Sequence, residues 1–212
     1  MTPQRPSRRA YERDDAAVER WLRVEYPKLA GKAKTERAEI CWGDETGLRS
    51  DESRHRGYAP RGKTPILRIP ARRTSLSVIS AITNQGTVRF MIYKGALSPE
   101  MLLRFLRRLT RGRKRRIFLI LDNLRVHKAR KVTAWVERNA SLIQLFFLPP
   151  YSPELNPDEY LNGDLKRAVH TGIPPRDAAD LKRQALSQLR SIQKSPNRVR
   201  AYFNHPAIRY AA

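Results

Sequence analysis

A chain of 212 residues that is 40% hydrophobic can bury one core of ordinary size, which excludes a disordered protein. No stretch approaches the roughly 20 apolar residues that span a bilayer, and no apolar signal segment follows Met1; a lone cysteine, Cys41, excludes an internal disulfide, so a cytoplasmic protein is expected. Lys and Arg number 43 against 20 Asp and Glu, a formal charge of +23 with a pI near 11.1, so nucleic acid is the expected partner, although a ribosomal-type protein or a host bias toward arginine would give the same excess.

In chain order, residues 1–13 are polar, basic and proline-containing, and predict an arm or linker. Val18, Trp21, Leu22 and Glu25 recur at helical spacing, predicting a helix over about residues 15–26 with Pro27 as its stop. Basic residues lead into Ala38-Glu39-Ile40-Cys41-Trp42-Gly43-Asp44, a short strand ending in an acid. Residues 50–63, with Gly57, Pro60 and Gly62, predict a loop or loose hairpin. Strands over 76–82 and 88–93 flank a hairpin-type turn at Asn84-Gln85-Gly86. Ser98-Pro99-Glu100 opens a helix whose apolar face is Leu102, Phe105, Leu106 and Leu109. Ile117-Phe118-Leu119-Ile120-Leu121-Asp122 predicts a strand buried on both faces and ending in a second acid. Then come a helix over about 128–139, another buried strand over 145–148 and a helix opened by Asn156-Pro157. A last helix over about 177–193 is followed by a shorter one after Pro196. Three strands followed by alternating helices and strands predict an α/β fold, a mixed sheet with helices on its faces.

Asp44 and Asp122 sit where predicted strands end. A carboxylate there is costly to desolvate, so it needs a cation or a capping task. Phosphodiester hydrolysis calls for two or three carboxylates projected from rigid elements into one cleft, where they hold hard divalent ions. A third acid could be Glu154, Asp158 or Glu159. With Asn156 as N-cap, Glu159 could instead complete a capping box, and the other two could simply favour the helix N-terminus. Local physics does not choose among them.

Three motifs in order carry a resemblance: Trp42-Gly43-Asp44-Glu45-Thr46-Gly47, Leu121-Asp122-Asn123-Leu124-Arg125-Val126-His127, and the block from Leu148 through Pro149-Pro150-Tyr151-Ser152-Pro153-Glu154-Leu155-Asn156-Pro157-Asp158-Glu159 to Tyr160. They resemble the DDE transposases of the IS630/Tc1/mariner superfamily, and look closest to its bacterial IS630 branch. The resemblance runs from about residue 36 to the end, so 36–212 is expected to be the catalytic domain and 1–35 a basic arm and helix. It implies a ribonuclease-H-like fold and a metal-dependent DNA endonuclease and strand transferase. Asp44, Asp122 and Glu159 would be the catalytic, metal-binding acids for two Mg²⁺ or Mn²⁺ ions, the mid-thirties separation of the last two favouring Glu159.

Glu45, Asn123 and His127 are expected to shape the metal site or position DNA, although a capping or surface role for His127 is an equal alternative. Arg61, Lys63, Arg125, Lys128 and Lys166 are candidate DNA contacts; Arg113-Lys114-Arg115-Arg116 reads as a solvated turn, and Trp21 and Trp135 as packing residues. The implied partners are transposon ends and target DNA, at a TA dinucleotide, with a homodimer on paired ends and a bacterial, nucleoid-associated location. Met1 to Ala10 look like the tail of a helix-turn-helix reader, so a truncated regulatory DNA-binding fragment is the alternative.

Overall fold

A computed structural model of the chain describes residues 10–52, 58–64, 66, 68–171 and 173–212. The first nine residues of the predicted arm and residues 53–57 of the predicted loop lie outside the described residues.

The sheet has five strands in the order β3-β2-β1-β4-β5. β1 (Glu39–Arg49), β2 (Ser75–Ile82) and β3 (Val88–Tyr93) form an antiparallel meander. β4 (Ile117–Leu121) and β5 (Ile143–Phe147) add in parallel beside β1. The element order read from the sequence is therefore the observed one.

One core covers each face of the sheet. On one side α3 (Pro99–Thr110) buries Leu102, Phe105, Leu106 and Leu109 against Ile79, Met91 and Leu119, with Val132 of α4 (Arg130–Arg138) in the same cluster and Trp135 packed on it. Ser98 caps α3 by accepting from the Met101 N–H at 3.2 Å. On the other side α5 (Asp158–Thr171), α6 (Ala178–Gln193) and α7 (Pro196–Tyr202) pack on Trp42, Leu48, Val78 and Ile82. The N-terminal helices join this second core through Val18, Trp21, Tyr26 and Leu29.

Four local expectations change. Pro27 does not stop its helix: α1 (Asp15–Arg20) passes through a π-helical turn at Trp21–Glu25 into α2 (Tyr26–Thr35). The wider turn lets the ring, which would clash with an ordinary i−4 carbonyl, sit at the start of a fresh helical segment. β1 is 11 residues long, so Asp44 is central rather than terminal. β5 is an edge strand, and four of its five residues are only half-buried. The arginine-rich turn is only partly solvated. Arg113 pairs with Glu39 at 3.1 Å, Arg116 with Glu36 at 2.5 Å, and Arg115 donates to the Arg37 and Ala38 carbonyls, pinning β4 to the end of α2.

Two glycines are required by close approach. Gly86 turns the β2–β3 hairpin at φ +91°, and a Cβ there would lie 2.7 Å from the Pro196 carbonyl oxygen. At Gly43 a Cβ would lie 3.0 Å from the Ser80 carbonyl oxygen and 2.9 Å from Leu121 Cδ2. The Leu121 side chain can rotate away, but the strand carbonyl cannot. Gly43→Ala is expected to cost about 1–3 kcal/mol of stability, measured by denaturant unfolding; a wild-type midpoint would show that the strands separate freely here.

Candidate active site

The site forms where parallel pairing runs out. β4 pairs with β1 only as far as Ile120 opposite Trp42, so β1 continues with β2 alone and carries Asp44 beyond the end of β4. Asp122 follows Leu121, the last residue of β4. β5 leads to Leu148, a proline-rich turn and Asn156, which caps α5 by accepting from the Asp158 N–H at 3.1 Å. Glu159 lies in the first turn of α5. Asp44, Asp122 and Glu159 thus reach, from three elements, one cleft of about 810 Å³ beyond the carboxyl ends of the parallel strands.

Glu154, Asp158 and Glu159 have separate surroundings. Glu154 faces away and takes a 2.9 Å bond from Arg13 Nε. Asp158 is fully buried, accepts from Ser80 Oγ at 2.6 Å, and burial holds its carboxyl well above the usual carboxylate range. Of the three, Glu159 alone lines the cleft with Asp44 and Asp122. It forms no capping box, because the Asn156 N–H bonds the Pro153 carbonyl instead.

Asp44 Oδ2 accepts from Asn162 Nδ2 at 2.8 Å. Burial, then the facing charges of Glu159 and Asp122, push its pKa up to about 8. Burial also raises Glu159, with Lys166 opposing. The cleft therefore gathers carboxyl groups that disfavour ionisation, an effect that its own hydrogen bonds only partly offset. Among the described residues no three acids, histidines or cysteines form a ready-made metal cage. Oxygen donors spread around an open cleft suit a hard cation that keeps several waters.

The other candidates divide. His127 is not a surface residue: it is 2% exposed, and its Nδ1–H donates to the Asp122 carbonyl and carboxylate, each at 3.0 Å. Asn123 Nδ2 donates to the Leu148 carbonyl, and Lys128 Nζ bonds Asn123 Oδ1 at 2.5 Å, so this residue ties the β4 and β5 loops together. Glu45 lines the cleft and takes a 2.5 Å hydrogen bond from Tyr93. Arg125 lies on the wall; Arg61 and Lys63 stand in an exposed turn and do not line the cleft. Tyr151, exposed at the lip, holds a left-handed φ of +54°, a strained state for a residue with a side chain.

Three supporting residues escaped the sequence reading: Asn162, Tyr93 and Ser80. Asn162 had a signal, since it lies three residues after Glu159 on the same helical face. Tyr93 and Ser80 had none, because strand register sets their contacts.

The chain matches the DDE superfamily endonuclease family over residues 39–182. No curated protein matches it in sequence. Among solved structures, a Mos1 mariner paired end complex with Mn superposes with a TM-score of 0.73 at 17% identity, covering 99% of this chain and 65% of that one. The Mos1 mariner transposase catalytic domain alone gives 0.57 at 18% identity, covering 93% and 97%. The same catalytic domain with Raltegravir and Mg gives 0.60 at 16%, covering 95% and 98%. The chain thus has the ribonuclease-H-like fold of these domains and spans 65% of the Mos1 chain in the paired end complex.

Asn156 carries the frame of the site. Buried, it bonds the Gly43 carbonyl at 3.0 Å and caps α5, holding Asp44's strand and Glu159's helix together. Asn156→Ala should cost about 1–3 kcal/mol and lower the melting temperature by roughly 2–10 °C, followed by circular dichroism. An unchanged melting curve would remove this link from the argument.

Proposed function

The chain belongs to the DDE superfamily endonucleases, and from that membership we infer that it is a DNA transposase catalytic domain that cuts transposon ends and joins the freed 3′-hydroxyl to target DNA. The observation that carries this reading is the convergence of Asp44, Asp122 and Glu159 on one cleft beyond the sheet. Similar domains have been solved with Mn and with Mg, and a Mos1 paired end complex shares this fold.

The residues fit divalent cations. Burial and the charges of Glu159 and Asp122 raise Asp44, burial and the charge of Asp122 raise Glu159, and a cation would relieve that crowding. Asp44, Asp122 and Glu159 would hold two Mg²⁺ or Mn²⁺ ions, which supply Lewis acidity to activate the attacking oxygen and neutralise the leaving one. The chain's own groups orient these acids. Asn162 fixes the Asp44 carboxylate through Oδ2, while His127 holds Asp122. Asn123 keeps the Leu148 turn, and hence Glu159's helix, in register with Asp122. Arg125 on the cleft wall, Lys128 beside Asn123, Lys166 beside Glu159, and Arg61 and Lys63 on the outer turn would meet DNA phosphates, which position a duplex without reading its sequence. A homodimer pairing two ends and insertion at TA belong to the same reading. Among the described residues no helix is long and apolar enough to cross a membrane; action on the nucleoid belongs to the same reading.

Cleavage of a labelled duplex by the purified chain in Mg²⁺, Mn²⁺ or EDTA tests this directly. Nicking should require the metal. Asp122→Asn and Glu159→Ala should each cut it on the order of 1,000-fold or more, the worth of several kcal/mol of charge stabilisation, while duplex affinity stays within a few-fold. Equal loss of binding and cleavage would remove the metal-ligand role, and binding without any nicking would point to a regulatory fragment. Asn162→Leu is expected to raise the Mg²⁺ needed for half-maximal nicking about 10–100-fold; an unchanged requirement, with a lower rate alone, would deny its orienting role.

A further inference from the structure

The open edge of the sheet opposite β5 carries a second feature. β3 ends the sheet, with α3 on one face and α6 on the other. A groove of two adjoining hollows runs here, one of about 310 Å³ between the two helices and one of about 520 Å³ along the outer face of α6, and they share Leu186 and Arg190. Arg89 of β3, Arg108 of α3, and Arg183, Arg190 and Lys194 along α6 line it, and no acidic residue does. The catalytic cleft, by contrast, is lined by four carboxylates, and the two share no residue.

Arg183 pairs with Asp180 at 2.6 Å. Arg89, Arg108, Arg190 and Lys194 have no carboxylate within 4 Å among the described residues, and all four are exposed. Four unpaired cations in one groove repel one another, an arrangement that a polyanion relieves.

Strand addition, the usual fate of an open edge, is opposed here. The Val88 carbonyl, facing the edge, already accepts from Gln193 Nε2 at 2.8 Å and Arg89 Nη1 at 3.2 Å, so a pairing peptide would first have to displace both. A second copy of this chain, itself at +23, is opposed by like charge. The serine hydroxyls of Ser187 and Ser191 on the groove wall add neutral donors that suit phosphate oxygens.

We propose that this edge groove binds the phosphate backbone of duplex DNA outside the catalytic cleft. The inference rests on the DNA-acting reading above and adds a surface to it. Arg89 lies opposite Ala81, which lies opposite Gly43, so the groove begins two strand spacings, about 10 Å, from the strand that carries Asp44. DNA held there is anchored outside the cleft, and the acid-lined cleft is left for the phosphate that reacts.

The test compares the full chain with Arg108→Gln/Arg190→Gln/Lys194→Gln and with a control triple on the far side, Lys114→Gln/Arg130→Gln/Arg138→Gln. Binding of a fluorescently labelled duplex of arbitrary sequence is followed by anisotropy across salt concentrations, with circular dichroism to confirm that each variant is folded. Losing three phosphate contacts should lower the slope of log K against log salt by about 2.7. The wild-type advantage over the groove variant should then shrink about 40-fold between roughly 50 and 200 mM salt. The control should lose less than about one unit of slope. An unchanged slope in the groove variant, or equal losses in both triples, overturns the proposal while the DNA-acting reading stands. Failure of the wild-type chain to bind any duplex overturns that reading itself.

Discussion

Holding Asp44 in the middle of a sheet sets the terms for much of this molecule. A carboxylate on a central strand stands among carbonyls and apolar neighbours, and its charge is expensive there unless donors or a cation reach it. β4 therefore stops short, leaving β1 to run on with β2 alone past the last parallel pair. Gly43 has no side chain because the Ser80 carbonyl and Leu121 already fill that space. Asn162 reaches over from α5 to the one carboxylate oxygen, and Asn156 clamps the strand from the other side of the same helix start. Asp158, buried beneath, takes its hydrogen bond from Ser80, the residue paired with Asp44 across the β1–β2 ladder. Removing Asp44 from this arrangement would leave several polar groups arranged around nothing.

The charge of the chain and the charge of the cleft have opposite signs. An exterior at +23 draws a phosphate backbone in from a distance, whereas a pit lined by acids would push the same backbone away at contact. A hard cation held by these acids would resolve that contradiction, because it would make the pit attractive to a phosphate. The same division fits a lining with four carboxylates and Arg125 as its one cationic side chain: further cations there would compete with the ion.

Much of the fold could be read wherever one local signal dominates. The Ser98-Pro99 start, the unbroken apolar run of β4 and the glycine of the β2–β3 turn each act within a few residues, and each is found as expected. Where distant contacts decide, the reading failed. Pro27 is tolerated because a π-helical turn precedes it, and that turn carries Trp21 onto Tyr26, which itself packs on the distant Trp42. β5 looked buried from its own residues and lies at an edge because nothing pairs beyond it. Within the site, the motifs marked the acids, and local physics alone left Glu154, Asp158 and Glu159 undivided. Their surroundings differ through Arg13, Ser80 and the cleft, all remote in sequence.

The last residues of the chain close its core from the far end. Phe203 meets Trp42 edge to face at 5.2 Å, Tyr210 stacks edge-on against Tyr26 at 4.7 Å, and the Tyr210 hydroxyl bonds the Leu155 carbonyl at 2.7 Å, within the turn that precedes α5. Asn84 holds the Ala211 carbonyl at 3.3 Å. During synthesis, Trp42 and the Leu155 turn leave the ribosome well before these partners do. The core behind Asp44 cannot close until residue 211 is free, so a partly made chain lacks this packing.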